Sequence, residues 1–397
     1  MSFYKVVKDA IKKNKLIKKE GGFVGIPVPF KRLADYIPVI ERGHSIGLLG
    51  ATGSGKSRFA RWLFLYHVYK FSRDTGYPVR ILFFPLEDSK EKVYRNLICH
   101  YMFEQYGIYI NLAELDSKGE RMLPDFVEEK LDEAEAFFAD FEKVVIMVDG
   151  IHTPTAIYKY CENYATSTGK IFAYTVEVEG EKIEQLRYIA NNDVHTVIIV
   201  DNLSNIDIEE GAEDERQAIV RFGKKYVRER LCNFFKFTCV QILQQDFQSE
   251  RQSFNRDGGT IIAKLEPSLA GIGDSKTVAR SMHIVLGLFN PSRFDLIQYP
   301  IPSKHDPQNC YRLDILGNRF RSLSVLKAND SDFGMKVAFN FDAVSEVMTE
   351  LPKPKTPELE AVYQKIREKY PDKFAKVKNV VYPVNEKQND ELEEAPF

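Results

Sequence analysis

The stretch Gly47–Ala60 has the sequence "GLLGATGSGKSRFA", and it decides the fold class. Within it, Gly50 to Ser57 match the pattern G-x-x-x-x-G-K-[ST]. A short, mostly apolar run (45–49) precedes the pattern, and apolar residues at helical spacing follow it. In a strand, glycine-rich turn and helix of this kind, the backbone N–H groups and the helix N-terminus face an anion. We therefore predict a loop that binds the phosphates of a nucleotide, called the P-loop below (residues 50–57).

The residue types in the P-loop predict individual roles. Lys56 is expected to reach the β- and γ-phosphate oxygens, and the Ser57 hydroxyl is expected to bind Mg²⁺. The predicted nucleotide-binding residues are Gly50, Ala51, Thr52, Gly53, Ser54, Gly55, Lys56, Ser57 and Arg58.

Length and composition are typical of a globular protein. The 397 residues allow one large α/β domain or two of average size, and 44% hydrophobic residues suffice for a core. The net charge of −2 means that any surface for a polyanion must be a local patch. No apolar run approaches the roughly 18 residues of a membrane span, and we see no signal-peptide core. We expect a cytoplasmic protein without a membrane partner, whose five scattered cysteines are reduced thiols.

Apolar runs that alternate with longer helical segments predict a mainly parallel sheet. The predicted core strands are 45–49, 80–86, 143–148, 195–200 and 237–243. Four later runs lie closer together, which predicts an antiparallel or hairpin-rich part of the sheet. They are 283–289, 311–316, 322–328 and 335–341.

Two insertions interrupt this pattern. Residues 171–188 alternate around Gly180 and predict a hairpin. Residues 246–275 are polar and glycine-bearing without a periodic pattern, so they are either disordered or a functional loop.

The two ends of the sequence differ from the central part. Residues 1–22 predict a basic helix, over 3–19, that is either solvated or contacts a subunit, nucleic acid or membrane. After Leu351, "PKPKTPELE" ends the main domain, and a helix near 357–369 precedes a charged tail predicted to be disordered. The predicted domains are thus 1–22, 23–351 and 352–397.

Two aspartates compete for the Mg²⁺ site, since each ends a buried strand. Asp149 ends "VVIMVDG" and Asp201 ends "TVIIVDN", and spacing alone does not choose between them. After Asp201 come a loop, a helix around 215–232 and the strand "FTCVQIL", which delivers Gln244. This order favours Asp201, with Asp149 ending an extra core strand. Gln244 either senses the γ-phosphate or is a hydrogen-bonded residue at a strand end.

Hydrolysis also needs a group that orients the attacking water. The run "RILFFPLED" delivers Glu87 just past its apolar part. A carboxylate there can polarise water aimed at the γ-phosphate. The alternative is a surface acid before a helix over 88–106, in which Asp88 or Ser89 would be the N-cap.

In this order the motifs resemble those of the DnaB-like replicative helicases, hexameric ATPases of superfamily four with a RecA-type core. The resemblance runs from about Val24 to Phe341. It includes the lead-in "GIPVPFKRLADYIPVIERG", the P-loop "GATGSGKS", "PLEDS" for the family's "SLEMS", "VIIVDN", and "VQILQQ" for "LSQLN". Further on, "PSLAGIGDSKTVARSMHIVLGL" and "SLSVLKANDSDFGMKVAF" stand where the family has "SDLRESGSIEQDADVVLFI" and "IIIAKQRNGPTGTVRLAF".

The resemblance implies a RecA-like α/β fold, with a mainly parallel sheet flanked by helices and preceded by a short linker helix. It implies ATP and Mg²⁺ as cofactors, with Lys56, Glu87 and Gln244 as catalytic groups and Ser57 and Asp201 as metal ligands. Lys327 matches the lysine that reaches the neighbouring subunit's nucleotide.

The implied activity is that of a 5′–3′ replicative DNA helicase that moves along single-stranded DNA as a hexameric ring. Arg251, Arg256 and Lys264 are the candidate DNA-binding residues, since a translocase grips phosphates rather than bases. Primase or a helicase loader would be further partners. Phage origin would place the protein in the cytoplasm of a bacterial host.

Three departures from the family pattern leave alternatives open. Asn329 stands where the family has an arginine finger, so either Arg319 or Arg321 substitutes or hydrolysis is slow. Phe247 replaces an arginine, and the family's globular N-terminal domain is missing from this sequence. One alternative is a RecA-type DNA-dependent ATPase that does not unwind DNA, such as a recombinase, loader or packaging accessory. The other is a nucleotide-assembled structural ring with little turnover.

Overall fold

The computed structural model describes residues 3–178, 181–209, 211, 214–245, 261–301, 309–329 and 334–369. The chain divides into two compact units, one of residues 1–296 and 317–351 and the other of residues 297–316 and 352–397. The sequence prediction places residues 297–316 in the ATPase domain, whereas in the structure they group with the C-terminal segment.

The strands of the first unit form a nine-stranded sheet and two small antiparallel pairs. The strands are β1 (Ile26–Pro27), β2 (Val39–Ile40), β3 (Ser45–Gly50), β4 (Val79–Pro85), β5 (Val145–Met147), β6 (Gly169–Val178), β7 (Glu181–Ala190), β8 (His195–Asp201), β9 (Thr238–Gln244), β10 (Ile284–Phe289), β13 (Phe320–Ala328), β14 (Lys336–Phe341) and β15 (Met348–Glu350). The second unit contains β11 (Gln298–Pro300) and β12 (Cys310–Arg312), which pair with each other.

The large sheet has the order β15-β14-β13-β10-β3-β9-β8-β4-β5. All neighbours from β10 to β5 are parallel, and β13, β14 and β15 are antiparallel to their neighbours. Every residue of β3 and β8 is buried, as expected for parallel strands covered on both faces. The predicted parallel core with an antiparallel C-terminal part is confirmed.

Helices pack on both faces of this sheet. Alternate residues of one strand enter different cores, so that Leu48 belongs to one hydrophobic cluster and Leu49 to the other. The helices of the first unit are α1 (Phe3–Lys19), α2 (Lys31–Ala34), α3 (Lys56–Ala60), α4 (His67–Thr75), α5 (Lys90–Tyr106), α6 (Leu112–Leu115), α7 (Asp125–Val144), α8 (Pro154–Thr168), α9 (Glu215–Arg221), α10 (Ile262–Leu265) and α11 (Lys276–Ser281). A π-helical stretch, Arg61–Tyr66, joins α3 to α4, and another, Phe222–Phe234, extends α9.

The second unit combines its strand pair with α12 (Leu313–Leu316) and α13 (Pro357–Lys369). The backbone N–H of Arg312 donates to the Tyr363 hydroxyl at 3.0 Å, which joins β12 to α13. The prediction of a strand over 311–316 was half wrong, because the run becomes helical after Arg312. A short apolar run does not distinguish a strand from a buried helical turn.

The predicted hairpin is confirmed as a ribbon of β6 and β7, which pair in register from Gly169 opposite Ala190 to Val178 opposite Glu181. Several of its large apolar side chains are exposed, namely Ile171, Phe172, Tyr174, Ile183, Leu186 and Ile189. At its base, Tyr188 packs against Phe235 with ring centroids 5.1 Å apart.

The segment 246–275 is only partly described. Its residues 246–260 lie outside the described chain, whereas α10 and a 3₁₀ stretch, Leu269–Ser275, form part of the remainder. The absence of a periodic pattern therefore missed two short helical turns. The tail after residue 369 also lies outside the described residues.

The terminal helices predicted over 3–19 and 357–369 are confirmed as α1 and α13. Within the described ranges, none of the helices combines the length and apolarity that crossing a bilayer requires.

Candidate functional site

The P-loop lies between the C-terminal end of β3 and the start of α3. Gly53 and Gly55 have φ angles of 74° and 96°, a region in which glycine is free of the strain that a side chain would add. A Cβ on Gly50 would lie 2.5 Å from the carbonyl oxygen of Leu288, so the first glycine allows a close approach of two strands. The Lys56 Nζ donates to the Ala51 carbonyl at 2.9 Å, across the loop.

The metal-binding pair predicted from sequence is adjacent in space. The Ser57 hydroxyl donates to Asp201 Oδ1 at 2.8 Å. Burial raises the pKa of Asp201 to about 6, against the opposing effects of the Arg61 charge and the Ser57 hydrogen bond. A hydroxyl and a carboxylate are oxygen ligands of the kind that Mg²⁺ prefers, so the donor set fits this ion.

The competing aspartate lies elsewhere. Asp149 is exposed beyond the end of β5, where its Oδ1 accepts from the backbone N–H of Gly150 at 2.8 Å. It does not line the cavity that the P-loop borders.

Glu87 and Gln244 reach the P-loop from the strands on the far side of β3. The backbone N–H groups of Leu86 and Glu87 both donate to the Asp201 carbonyl, at 2.6 and 3.2 Å. The Glu87 carboxylate accepts from Asn202 Nδ2 at 3.2 Å. These contacts form because β4 and β8 are parallel neighbours whose carboxyl ends meet at one edge of the sheet.

At the end of β9, the Gln244 Nε2 donates to the Thr52 hydroxyl at 2.7 Å. Because β9 is the parallel neighbour of β3, this contact joins the end of one strand to the loop that follows the other.

These groups line one cavity of about 350 Å³, within the size range of roughly 300–1,000 Å³ that ligand pockets have. Its lining residues are Thr52, Gly53, Gly55, Lys56, Ser57, Arg58, Arg61, Glu87, Asp88, Lys92, Asn96, Leu112, Asn202, Gln244, Asn318, Arg321, Phe341 and Ala343. The cavity combines a glycine-rich loop, a lysine, a hydroxyl and carboxylates, and this donor set fits a nucleotide triphosphate with Mg²⁺.

Sequence reasoning did not assign Arg321 to the cavity of its own chain. Its Nε donates to the Ser54 carbonyl at 2.7 Å, and its guanidinium lies 5.0 Å from the centroid of the Phe341 ring. Burial lowers the pKa of Arg321 to about 9. Because Ser54 and Arg321 are 267 residues apart, no local pattern connects them.

Three more charged side chains of the cavity region also escaped the sequence analysis: Arg61, Asp88 and Glu346. Arg61 and Glu346 are 3% and 2% exposed. The sequence suggested for Asp88 only the role of a helix cap, but the cap of α5 is Ser89, whose hydroxyl accepts from the Lys92 N–H.

Other predicted site residues lie away from this cavity. Lys327 is near the end of β13, where its Nζ donates to the carbonyls of Arg280, at 2.6 Å, and Met282. Lys264 is exposed on α10. Arg251 and Arg256 lie outside the described residues, and Arg319 is not among the residues that line the cavity.

No protein-family model matches the sequence. No curated protein matches it either.

Solved structures do match the fold. One is the separate ATPase domain of a DnaB-like helicase, with a TM-score of 0.55 and 14% identity over 87% of this chain and 99% of that one. Another is a DnaB-like replicative helicase, described with its interactions with primase, with a TM-score of 0.58 and 15% identity. That match covers 87% of this chain and 66% of the helicase chain. The chain therefore has the RecA-like α/β fold of the ATPase domains of DnaB-like replicative helicases.

Proposed function

We propose that the protein is an ATP-hydrolysing motor that moves 5′ to 3′ along single-stranded DNA as a hexameric ring and unwinds duplex DNA. The observation that carries the proposal is the convergence of the P-loop, the Ser57–Asp201 pair, Glu87 and Gln244 around one cavity. The fold of the helicase ATPase domains supports it.

The proposed chemistry assigns one task to each side chain. Lys56 holds the β- and γ-phosphate oxygens, and Ser57 and Asp201 hold Mg²⁺, which neutralises the charge that develops on the phosphates. Glu87 accepts a proton from the attacking water and orients it. Gln244 contacts the γ-phosphate at the end of β9, which leads directly into residues 246–260, so that β9 connects the nucleotide to the candidate DNA-binding segment.

The proposed ring places a nucleotide between neighbouring subunits. Lys327 would then contact the nucleotide of the next copy of the chain. Arg251, Arg256 and Lys264 remain the proposed contacts to DNA phosphates, and primase or a loader the proposed protein partners.

ATP hydrolysis with and without single-stranded DNA tests the proposal. The wild type should be stimulated by DNA, and Glu87→Gln should lose roughly 10²- to 10⁴-fold in turnover, the range that a general base contributes. Lys56→Ala should lose turnover together with nucleotide affinity. Asp149→Asn is the matched control, since it also neutralises a carboxylate after a parallel strand but lies outside the cavity. Equal turnover in wild type and Glu87→Gln would contradict the base assignment.

A second candidate is a DNA-dependent ATPase that does not unwind. The position of Arg321 favours it, because this arginine is buried against its own P-loop and so is not available as a finger for a neighbour. A forked duplex with a labelled strand separates the two candidates. Strand release that requires ATP supports the helicase, and DNA-stimulated hydrolysis with the fork intact supports the alternative.

A further inference from the structure

A buried ionic network lies beside the cavity, centred on Arg61. The Nε and Nη2 of Arg61 donate to the two carboxylate oxygens of Glu346 at 3.1 and 2.7 Å. Its Nη1 donates to Asp88 Oδ2 at 3.3 Å. Buried ion pairs are no more stabilising than well-packed apolar residues of similar volume, so stability alone does not account for the network.

The members of the network come from the elements that carry the proposed catalytic groups. Arg61 follows the metal ligand Ser57 by four residues, one helical turn. Asp88 directly follows the proposed base Glu87, and its Oδ1 also accepts from Lys92 Nζ at 2.5 Å. The bond between Arg61 and Asp88 therefore joins the helix of the P-loop to the segment of the base.

Glu346 keeps Arg61 in place from the opposite side. It comes from the segment between β14 and β15, and Arg58 lies 3.5 Å from the same carboxylate. Burial lowers the pKa of Arg61, but the charges of Glu346, Asp201 and Asp88 raise it more, so the guanidinium stays protonated. With its donors bonded to Glu346 and Asp88, Arg61 is oriented toward protein groups.

The sequence pattern around the base agrees with a specific role for Asp88. The family's segment is "SLEMS", whereas this chain has "PLEDS", so Asp88 stands where the family has methionine. An acid at that position has a partner here because the buried Arg61 lies within hydrogen-bond distance.

We propose that Arg61 and Asp88 are positioning residues that fix Glu87 relative to the Ser57–Asp201 metal site. The proposal rests on the proposed ATPase function. Two tethers then hold the base: the Asp201 carbonyl binds its backbone N–H, and the Arg61–Asp88 bond fixes the residue that follows it. Loss of the second tether leaves the phosphate-binding groups in place and misaligns the attacking water.

The test uses Asp88→Ala and Asp88→Asn in the full chain. Asp88→Ala keeps the Arg61–Glu346 pair, so no buried charge is left unpaired and the protein should fold. Its kcat should fall roughly 10- to 100-fold, as for a small misplacement of a catalytic group. Binding of a fluorescent ATP analogue should stay within about threefold, since interactions made only in the transition state affect kcat. Asp88→Asn retains an oxygen that accepts from Arg61, so it should restore most of kcat.

Asp74→Ala is the matched control, because it removes the acid of an exposed pair with Arg73 and leaves the cavity intact. Wild-type kcat in Asp88→Ala, or a loss in affinity as large as the loss in kcat, would overturn the positioning role while the ATPase assignment stands. A wild type without ATP turnover would overturn both.

Discussion

The buried imidazole of His195 predicts a specific loss of stability in acid. His195 is fully buried at the start of β8, and its Nε2 lies 2.8 Å from the Thr238 hydroxyl. Burial, with a smaller effect of the Arg42 charge, lowers the pKa of His195 from 6.5 to about 3. The folded state therefore excludes a proton that the unfolded chain binds below about pH 6.5. Stability from this residue is complete above that pH and is lost as the pH falls toward 3.

The size of the effect follows from proton linkage. Between pH 7.5 and pH 5.0, a shift from 6.5 to about 3 removes about 2 kcal/mol from the free energy of unfolding. The variant His195→Gln removes the titrating group and keeps an amide that can bond to Thr238. We expect the stability of the wild type to fall by about 2 kcal/mol more than that of the variant over this range.

Urea unfolding followed by far-ultraviolet circular dichroism, at both pH values, measures this difference. Other histidines with lowered pKa values, such as His67 and His100, contribute equally to both proteins and cancel in the comparison. The same pH dependence in wild type and His195→Gln would refute the reasoning.

Three other predictions concern the P-loop and the thiols. Gly50→Ala should destabilise the fold by about 1–3 kcal/mol and abolish nucleotide binding, because its Cβ meets the Leu288 carbonyl; thermal unfolding and equilibrium binding check this, and an unchanged melting temperature would contradict it. Gln244→Ala removes an exposed contact to Thr52, so stability should stay within about 0.5 kcal/mol while ATP turnover falls, and unaltered turnover would remove Gln244 from the mechanism. Four of the five cysteines are buried, so a thiol reagent should label one thiol per native chain, at Cys310, and five after unfolding, as counted by mass spectrometry.

The sequence predicted those features that depend on neighbouring residues. The P-loop, the strand ends at Glu87, Asp201 and Gln244, and the β6–β7 hairpin each follow from a local pattern of glycines or of alternating side chains. Their convergence was also predictable, because parallel strands end at one edge of the sheet.

The remaining contacts depend on how distant segments pack. Arg61 and Glu346 are separated by 285 residues, and their pairing is set by the antiparallel strands β14 and β15 beside the P-loop. The sequence allows Arg321 as a substitute finger for a neighbouring subunit, but the register of β13 against β14 turns it toward its own P-loop. A short apolar run also left the state of 313–316 undecided, and only its packing made it helical.

The register of the β6–β7 ribbon makes its length an adjustable quantity. The two strands pair residue for residue, so removal of two residues from each strand, for example around Val176 and Ile183, keeps every remaining side chain on its face. Removal of one residue from each would exchange the faces beyond the cut. Since Tyr188 fixes the ribbon at its base, the distal end can be shortened or extended in steps of about 6.6 Å, which is twice the rise per residue of a strand. The ribbon is thus a built-in ruler, with which the distance that this insertion spans can be varied while the nucleotide cavity is left unchanged.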